Sequence, residues 1–171
     1  DCGAAGVMVP HVSSVADAQA VAAACRYAGG SRGFAGLTRA SGWRSRRPVE
    51  HMDEQDSAVV CIAMIEDAQA VDAVAEIAAV DGIHALFVGR GDLTATFGGD
   101  PDAASKVAAL SERVAIAAKN AGKPLLMLAT SPADAAKVRE WGVTALLVSS
   151  DHGMLKSAAA TAIRDYAVKA D

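Results

Sequence analysis

The sequence predicts an α/β chain of five consecutive βα units, and three observations predict it. Five apolar runs of strand length recur along the 171 residues, each followed by a stretch long enough for a helix. The runs do not alternate apolar with polar residues, the pattern of parallel strands covered on both faces. Three runs share one lead-in: DCGAAGVMVP at 1–10, VDGIHALFVG at 80–89 and EWGVTALLVS at 140–149. Each has a Gly, two residues, then the apolar run, which reads as a helix ending on glycine and turning into a buried strand. Such a row of units is part of a (β/α)8 barrel or an open doubly wound sheet. Gly3 carries this signature with only two residues before it, and the chain does not begin with Met. The expectation is that residues 1–171 are the C-terminal part of a longer protein, one incomplete domain.

Strand one is expected at 6–12 (GVMVPHV). Ser13 or Ser14 caps the next helix, with Asp17 in its first turn, and that helix runs to about Tyr27. Residues 28–57 read as irregular, with room for a short helix or a task of their own. They hold five of the chain's ten arginines and an acidic cluster at Glu50–Asp56. Strand two is 58–66, with a helix at about 68–79, and strand three is 84–89. Asp100 is the expected cap and Pro101 the first residue of a long helix at about 102–121. Strand four is 124–130. Ser131 caps and Pro132 opens a helix at 132–141. Strand five is 144–150, and a last helix covers about 151–168, with Asp151 as its cap. Trp43 and Trp141 read as packing residues.

Composition excludes several function classes. Hydrophobic residues make up 52% and aromatics 4%, so the core must be built from Ala, Val, Leu and Ile. A net charge of −4 without a basic stripe argues against nucleic acid as a partner. No apolar run reaches the ~18–20 residues of a membrane span, and no signal peptide is visible. Cys2, Cys25 and Cys61 lack zinc spacing and cannot all pair. Cys61 reads as a buried filler, and a reducing, cytoplasmic setting fits. No GxGxxG follows the first strand, which weakens a dinucleotide reading.

The chemistry concentrates at 58–93. Two apolar runs of strand length, one helix apart, each end in a carboxylate: Glu66 closes the first and Asp92 the second. In a strand–helix–strand unit both ends lie on one edge of the sheet, and neighbouring strands are ~5 Å apart. Ligands bind at that edge. Two carboxylates converging there make a candidate site for a hard divalent cation. Taken alone, Glu66 and Asp92 also serve as helix N-terminal charges. Two further classes stand beside a metal enzyme. One is a metal-free phosphate-binding barrel enzyme using backbone amides at GRGDL. The other is a non-catalytic scaffold or interaction protein.

With VGRGDL, AMIE before it and the Pro of MVPHV, the chain resembles the class II pyruvate aldolases and the related citrate lyase beta-subunit family. These are metal-dependent barrels of the phosphoenolpyruvate/pyruvate superfamily. GVMVPHV resembles the family's fourth strand and GGSRGFAG its G-x-R-G-x-G loop. AVVCIAMIE resembles the fifth strand with its metal-binding Glu, and LFVGRGDLT the sixth with its metal-binding Asp. PLLMLAT and ALLVSSD resemble the seventh and eighth strands. The resemblance implies a partial (β/α)8 barrel, strands four to eight, with the first three strands missing. It implies Mg²⁺ or Mn²⁺ on Glu66 and Asp92, and a 2-oxo acid such as pyruvate chelating the metal, which stabilises its enolate. It implies substrate contacts at Gly89, Arg90 and Gly91; Arg32 is a candidate anion binder beside its structural role in the loop. It implies a homo-oligomer, often a hexamer, with the last helix packed on a neighbour. The family's catalytic His and pyruvate-binding Arg lie on strands before the fourth, so His11, His51, His84 and His152 are not matched to them. Two departures stand out: Met64 where many aldolases of the family have Gln, and Arg90 where the family motif has Pro.

Overall fold

A computed structural model describes residues 2–167. Five strands, β1 (Gly6–Val9), β2 (Val60–Ile65), β3 (Ala85–Val88), β4 (Leu125–Leu128) and β5 (Ala145–Leu147), pair in sequential order β1-β2-β3-β4-β5. Every pairing is parallel. A doubly wound sheet would reverse its strand order in the middle. This one does not, and it curls into a half-barrel. The glycine lead-ins hold: Gly3, Gly82 and Gly142 take φ of 84°, 92° and 90°. Only glycine adopts that backbone without strain.

Eight α-helices are described: α1 (Val15–Cys25), α2 (Pro48–Ala58), α3 (Ala68–Asp72), α4 (Val74–Ala79), α5 (Arg90–Phe97), α6 (Ala103–Asn120), α7 (Pro132–Glu140) and α8 (Asp151–Tyr166). The hydroxyls of Ser14 and Ser131 accept from the N–H of Asp17 and Asp134 and so cap α1 and α7. The core lies between sheet and helices. Cys61, Ala63, Ile65, Leu86, Val88, Leu125 and Met127 pack there with Val71, Ile77, Val114 and Val138. Burial raises the Cys61 thiol pKa to about 12, as expected for an inert filler. Among the described residues no helix is long and apolar enough to cross a membrane.

Several local expectations need correction. Residues 28–57 are not all irregular: a 3₁₀ turn covers Gly42–Arg44, and α2 begins at Pro48. The α2 helix buries only His51, so it has almost no apolar face for periodicity to detect. The helix expected at 68–79 breaks at Ala73, where φ is −98° and ψ 7°. A separate α5 follows β3. Asp100 does not cap α6: its Oδ1 accepts the Asp102 N–H at 2.8 Å inside a preceding turn, and α6 starts at Ala103. Ser150, not Asp151, caps α8 by accepting from Gly153 N–H. The expected end of that helix at 168 lies outside the described residues. Trp43 is exposed at φ 55° and lies outside the core, whereas Trp141 packs against it. The two-sided burial that the composition suggested holds for β3, where Ala85–Val88 are all buried, but not for the other strands. In β2, Cys61, Ala63 and Ile65 are buried while Val60, Ile62 and Met64 are not, because the concave face of the half-barrel is open.

Candidate active site at the mouth of the half-barrel

Sheet register brings the carboxylates together. Met64 pairs with Phe87 and Ile65 with Val88, so the next residues, Glu66 and Gly89, leave the sheet side by side. The Gly89 N–H donates to Ile65 O at 3.0 Å and locks this corner. Gly89 then serves as N-cap of α5, and Asp92 lies in the helix's first turn. Leu93 N–H makes the first helical bond, back to Gly89 O at 3.2 Å. The N–H groups of Arg90, Gly91 and Asp92 therefore have no intrahelical acceptor, and the helix start favours negative charge.

Glu66 is buried, with 4% of its surface exposed. Its Oε1 accepts the backbone N–H of His11 at 3.0 Å. Burial raises the carboxyl pKa; the His11 bond lowers it, and the neighbouring Asp92 carboxyl raises it again. Two carboxyls this close favour sharing a proton until a cation arrives. Among the described residues no group of three or more His, Cys, Asp and Glu is placed to hold a metal. The donor set is thus two carboxylates, oxygen only, one fixed and one facing the open mouth. That set fits a hard divalent cation with positions left for water or substrate.

His11 is the functional candidate that sequence alone leaves unmatched. Its backbone sits at φ 53°, a strained value for a non-glycine residue. This conformation aims the His11 N–H at Glu66. The imidazole Nδ1 stands 3.2 Å from Asp67 Oδ2 and 3.4 Å from Glu66 Oε1. Asp67 also accepts the Ser13 hydroxyl at 2.7 Å. The hydrogen bond to Asp67, then the charges of Glu66 and Asp67, raise the imidazole pKa. A signal for this placement exists: β1 pairs with β2 up to Val9 and Ala63, so the residues after β1 must reach the end of β2.

A cavity of about 860 Å³ opens at this edge, with Met64, Glu66, Phe87, Asp92, Arg90 and Lys137 among its lining. Arg90 reaches across it. Its Nη1 donates to Asp134 Oδ1 at 2.9 Å, and Nη2 donates to Asp134 Oδ2 at 2.6 Å and Leu128 O at 2.5 Å. The guanidinium holds Asp134 well below the usual carboxylate range. Gly91 borders open space: a Cβ there would meet no atom within 4 Å. Arg32 does not join the site. Its guanidinium lies 4.3 Å from the Tyr27 ring centroid. It lines a separate cavity with Gly3 and Gly6, at the edge where β1 begins, because α1 carries the chain back from the mouth. The other histidines are also elsewhere: His51 is buried, His84 Nδ1 accepts the Cys61 N–H, and His152 pairs with Asp151.

Comparison with known proteins shows the family. The family model of the HpcH/HpaI aldolase/citrate lyase family matches residues 1–158. A 2-dehydro-3,6-dideoxy-6-sulfogluconate aldolase of Pseudomonas putida is 35% identical over 162 residues, 93% of this chain and 62% of that protein. A hydroxypyruvate/pyruvate aldolase of Chromohalobacter salexigens is 34% identical over 170 residues, 97% of this chain and 66% of that protein. The crystal structure of an HpcH/HpaI aldolase/citrate lyase family protein from Burkholderia cenocepacia superposes with a TM-score of 0.86 at 32% identity, covering 95% of this chain and 65% of that one. The chain thus spans a little under two thirds of the length of these relatives, and over that span it belongs to the HpcH/HpaI aldolase/citrate lyase family.

Proposed function

We propose that the protein is a divalent-metal-dependent carbon–carbon lyase that cleaves 4-hydroxy-2-oxo acids to pyruvate and an aldehyde. The observation that carries this reading is that buried Glu66 and Asp92 line one cavity at the open strand ends, beside the N–H groups of α5 that have no intrahelical acceptor. Glu66 and Asp92 would hold Mg²⁺ or Mn²⁺, which would supply Lewis acidity toward a 2-oxo acid. The chain's own residues set the stage for it. The His11 N–H fixes one Glu66 oxygen. The backbone N–H groups of Gly91 and Asp92 hold the substrate carboxylate, with Gly89 giving the close approach. Met64 and Phe87 give the cavity an apolar lining beside the carboxylates. The proton-transferring His and the pyruvate-gripping Arg implied by the family resemblance are not assigned to residues of this chain.

The same reading makes the protein a homo-oligomer, a hexamer in the family pattern. The α8 helix buries no residue of its own and leaves Met154, Leu155, Ile163 and Tyr166 exposed. Another subunit would cover them. The free cysteines fit a reducing, cytoplasmic setting.

The test is cleavage of a 4-hydroxy-2-oxo acid by the full-length protein, followed as pyruvate release. Asp92→Asn keeps the volume and removes one ligand charge, so turnover should fall at least about 100-fold. Turnover within about twofold of wild type would remove Asp92 from the metal set.

A further inference from the structure

Arg90 and Asp134 belong to different βα units, yet they make the most complete ion pair of the mouth. Both terminal nitrogens of the guanidinium are engaged in a two-pronged fork on the carboxylate, and Nη2 also takes the last carbonyl of β4, Leu128 O. This is the geometry in which an arginine–carboxylate pair is strongest and most directional. Asp134 is equally occupied. It accepts the Thr130 N–H at 2.9 Å and the Thr130 hydroxyl at 3.2 Å, and its own N–H donates to the Ser131 cap at 3.0 Å. The two side chains are only 23% and 17% exposed, so water competes weakly for either.

We propose that the Arg90–Asp134 pair is a latch that fixes the first turn of α5, so that Arg90 positions Asp92 for cation binding and does not grip substrate. This rests on the metal reading above. Arg90 is the first residue of α5, and Asp92 follows two residues later in the same turn. One side of that turn is tied to β2 through Gly89 N–H and Ile65 O. The latch ties the other side to the β4–α7 corner. A turn held from both sides cannot rotate, and the Asp92 carboxylate keeps its direction. The latch has a second consequence. A free guanidinium beside Glu66 and Asp92 would pair with them and exclude a cation. Asp134 neutralises that charge and leaves both carboxylates available. To hold a substrate carboxylate instead, Arg90 would have to give up three hydrogen bonds.

The experiment measures Mn²⁺ binding by the full-length protein, from the electron paramagnetic resonance signal of free Mn²⁺, together with KM at saturating Mn²⁺. Arg90→Ala and Asp134→Ala should each weaken Mn²⁺ binding about tenfold, and the double variant should weaken it no further, since both break one contact. Arg90→Lys should fail to restore binding, because one ammonium cannot reproduce the fork. Asp134→Asn, which keeps the volume, guards against loss of fold and should also weaken binding. KM should stay within about twofold throughout. A tenfold rise in KM for Arg90→Ala with Mn²⁺ affinity unchanged would show that Arg90 grips substrate, and the latch would be refuted. So would a lowered Tm with both Mn²⁺ affinity and KM unchanged. Wild-type protein that binds no Mn²⁺ overturns the metal reading itself, and the latch with it; wild-type binding with unaffected variants overturns the latch alone.

Discussion

Gly89 leaves the space that Glu66 fills. A Cβ at position 89 would stand 2.5 Å from the Glu66 Cβ and 2.7 Å from its Oε2. The backbone at Gly89 has φ −83° and ψ 75°, which does not require glycine. Within the protein, the requirement comes from the neighbouring Glu66 side chain. Gly89→Ala should therefore push Glu66 off its bond with His11 N–H, cost about 1–3 kcal/mol as overpacking, and abolish the rise in Tm that Mn²⁺ produces. Melting curves with and without Mn²⁺ check this; an unchanged Mn²⁺ effect would mean that Glu66 is not a ligand.

Glu66 is ionised at a cost. Its folded-state pKa is raised, by burial first and by Asp92 as well. A carboxyl raised on folding contributes stability while protonated, fully below its unfolded pKa of ~4.3. That contribution is lost as pH rises through the folded value. In cation-free protein at pH 7, Glu66→Gln should raise Tm, and the gain should vanish as pH falls toward 4. Measuring Tm of both proteins in chelator from pH 4 to 8 checks the sign. A variant less stable than wild type at pH 7 would contradict it.

Cation binding must displace protons. The His11 imidazole is raised by its bond to Asp67 and by the Glu66 charge, and a cation on the carboxylates opposes that protonation. Mn²⁺ affinity should rise with pH and level off above the raised His11 pKa. His11→Asn keeps a residue that tolerates φ near +53° and should remove the upper part of this dependence. Calorimetric titration in buffers of different ionisation enthalpy gives the proton count directly.

Much of this is legible in the sequence, for physical reasons. The glycines at 3, 82 and 142 mark helix-to-strand turns because only glycine takes φ near +90°. Glu66 and Asp92 can be placed together because parallel strands end on one edge. His11 goes unmatched, because its bond to Glu66 runs through a backbone N–H that leaves no side-chain signature, and its imidazole meets Asp67 from 56 residues away. Arg90 reads as a substrate contact, since no pattern in the sequence announces its partner 44 residues away. Helix α2 is hidden because its sequence lacks an apolar stripe, and Arg32 is misplaced because its loop lies at the opposite edge of the sheet.

The exposed face of α8 predicts assembly. Leu155→Glu together with Ile163→Glu should shift the full-length protein to smaller species in sedimentation at micromolar concentration, with little loss of monomer stability, since neither residue is buried. A wild-type protein that sediments as a monomer would contradict the assembly.

A cation held by Glu66 and Asp92 underlies everything proposed for the mouth. Its most direct test is pyruvate release from a 4-hydroxy-2-oxo acid by full-length protein stripped with chelator, then titrated with Mn²⁺ or Mg²⁺. Wild type should lose turnover on stripping and regain it on titration, while Glu66→Gln regains none at any concentration that restores wild type. Turnover that survives excess chelator, or that Glu66→Gln retains, would contradict a cation at this pair.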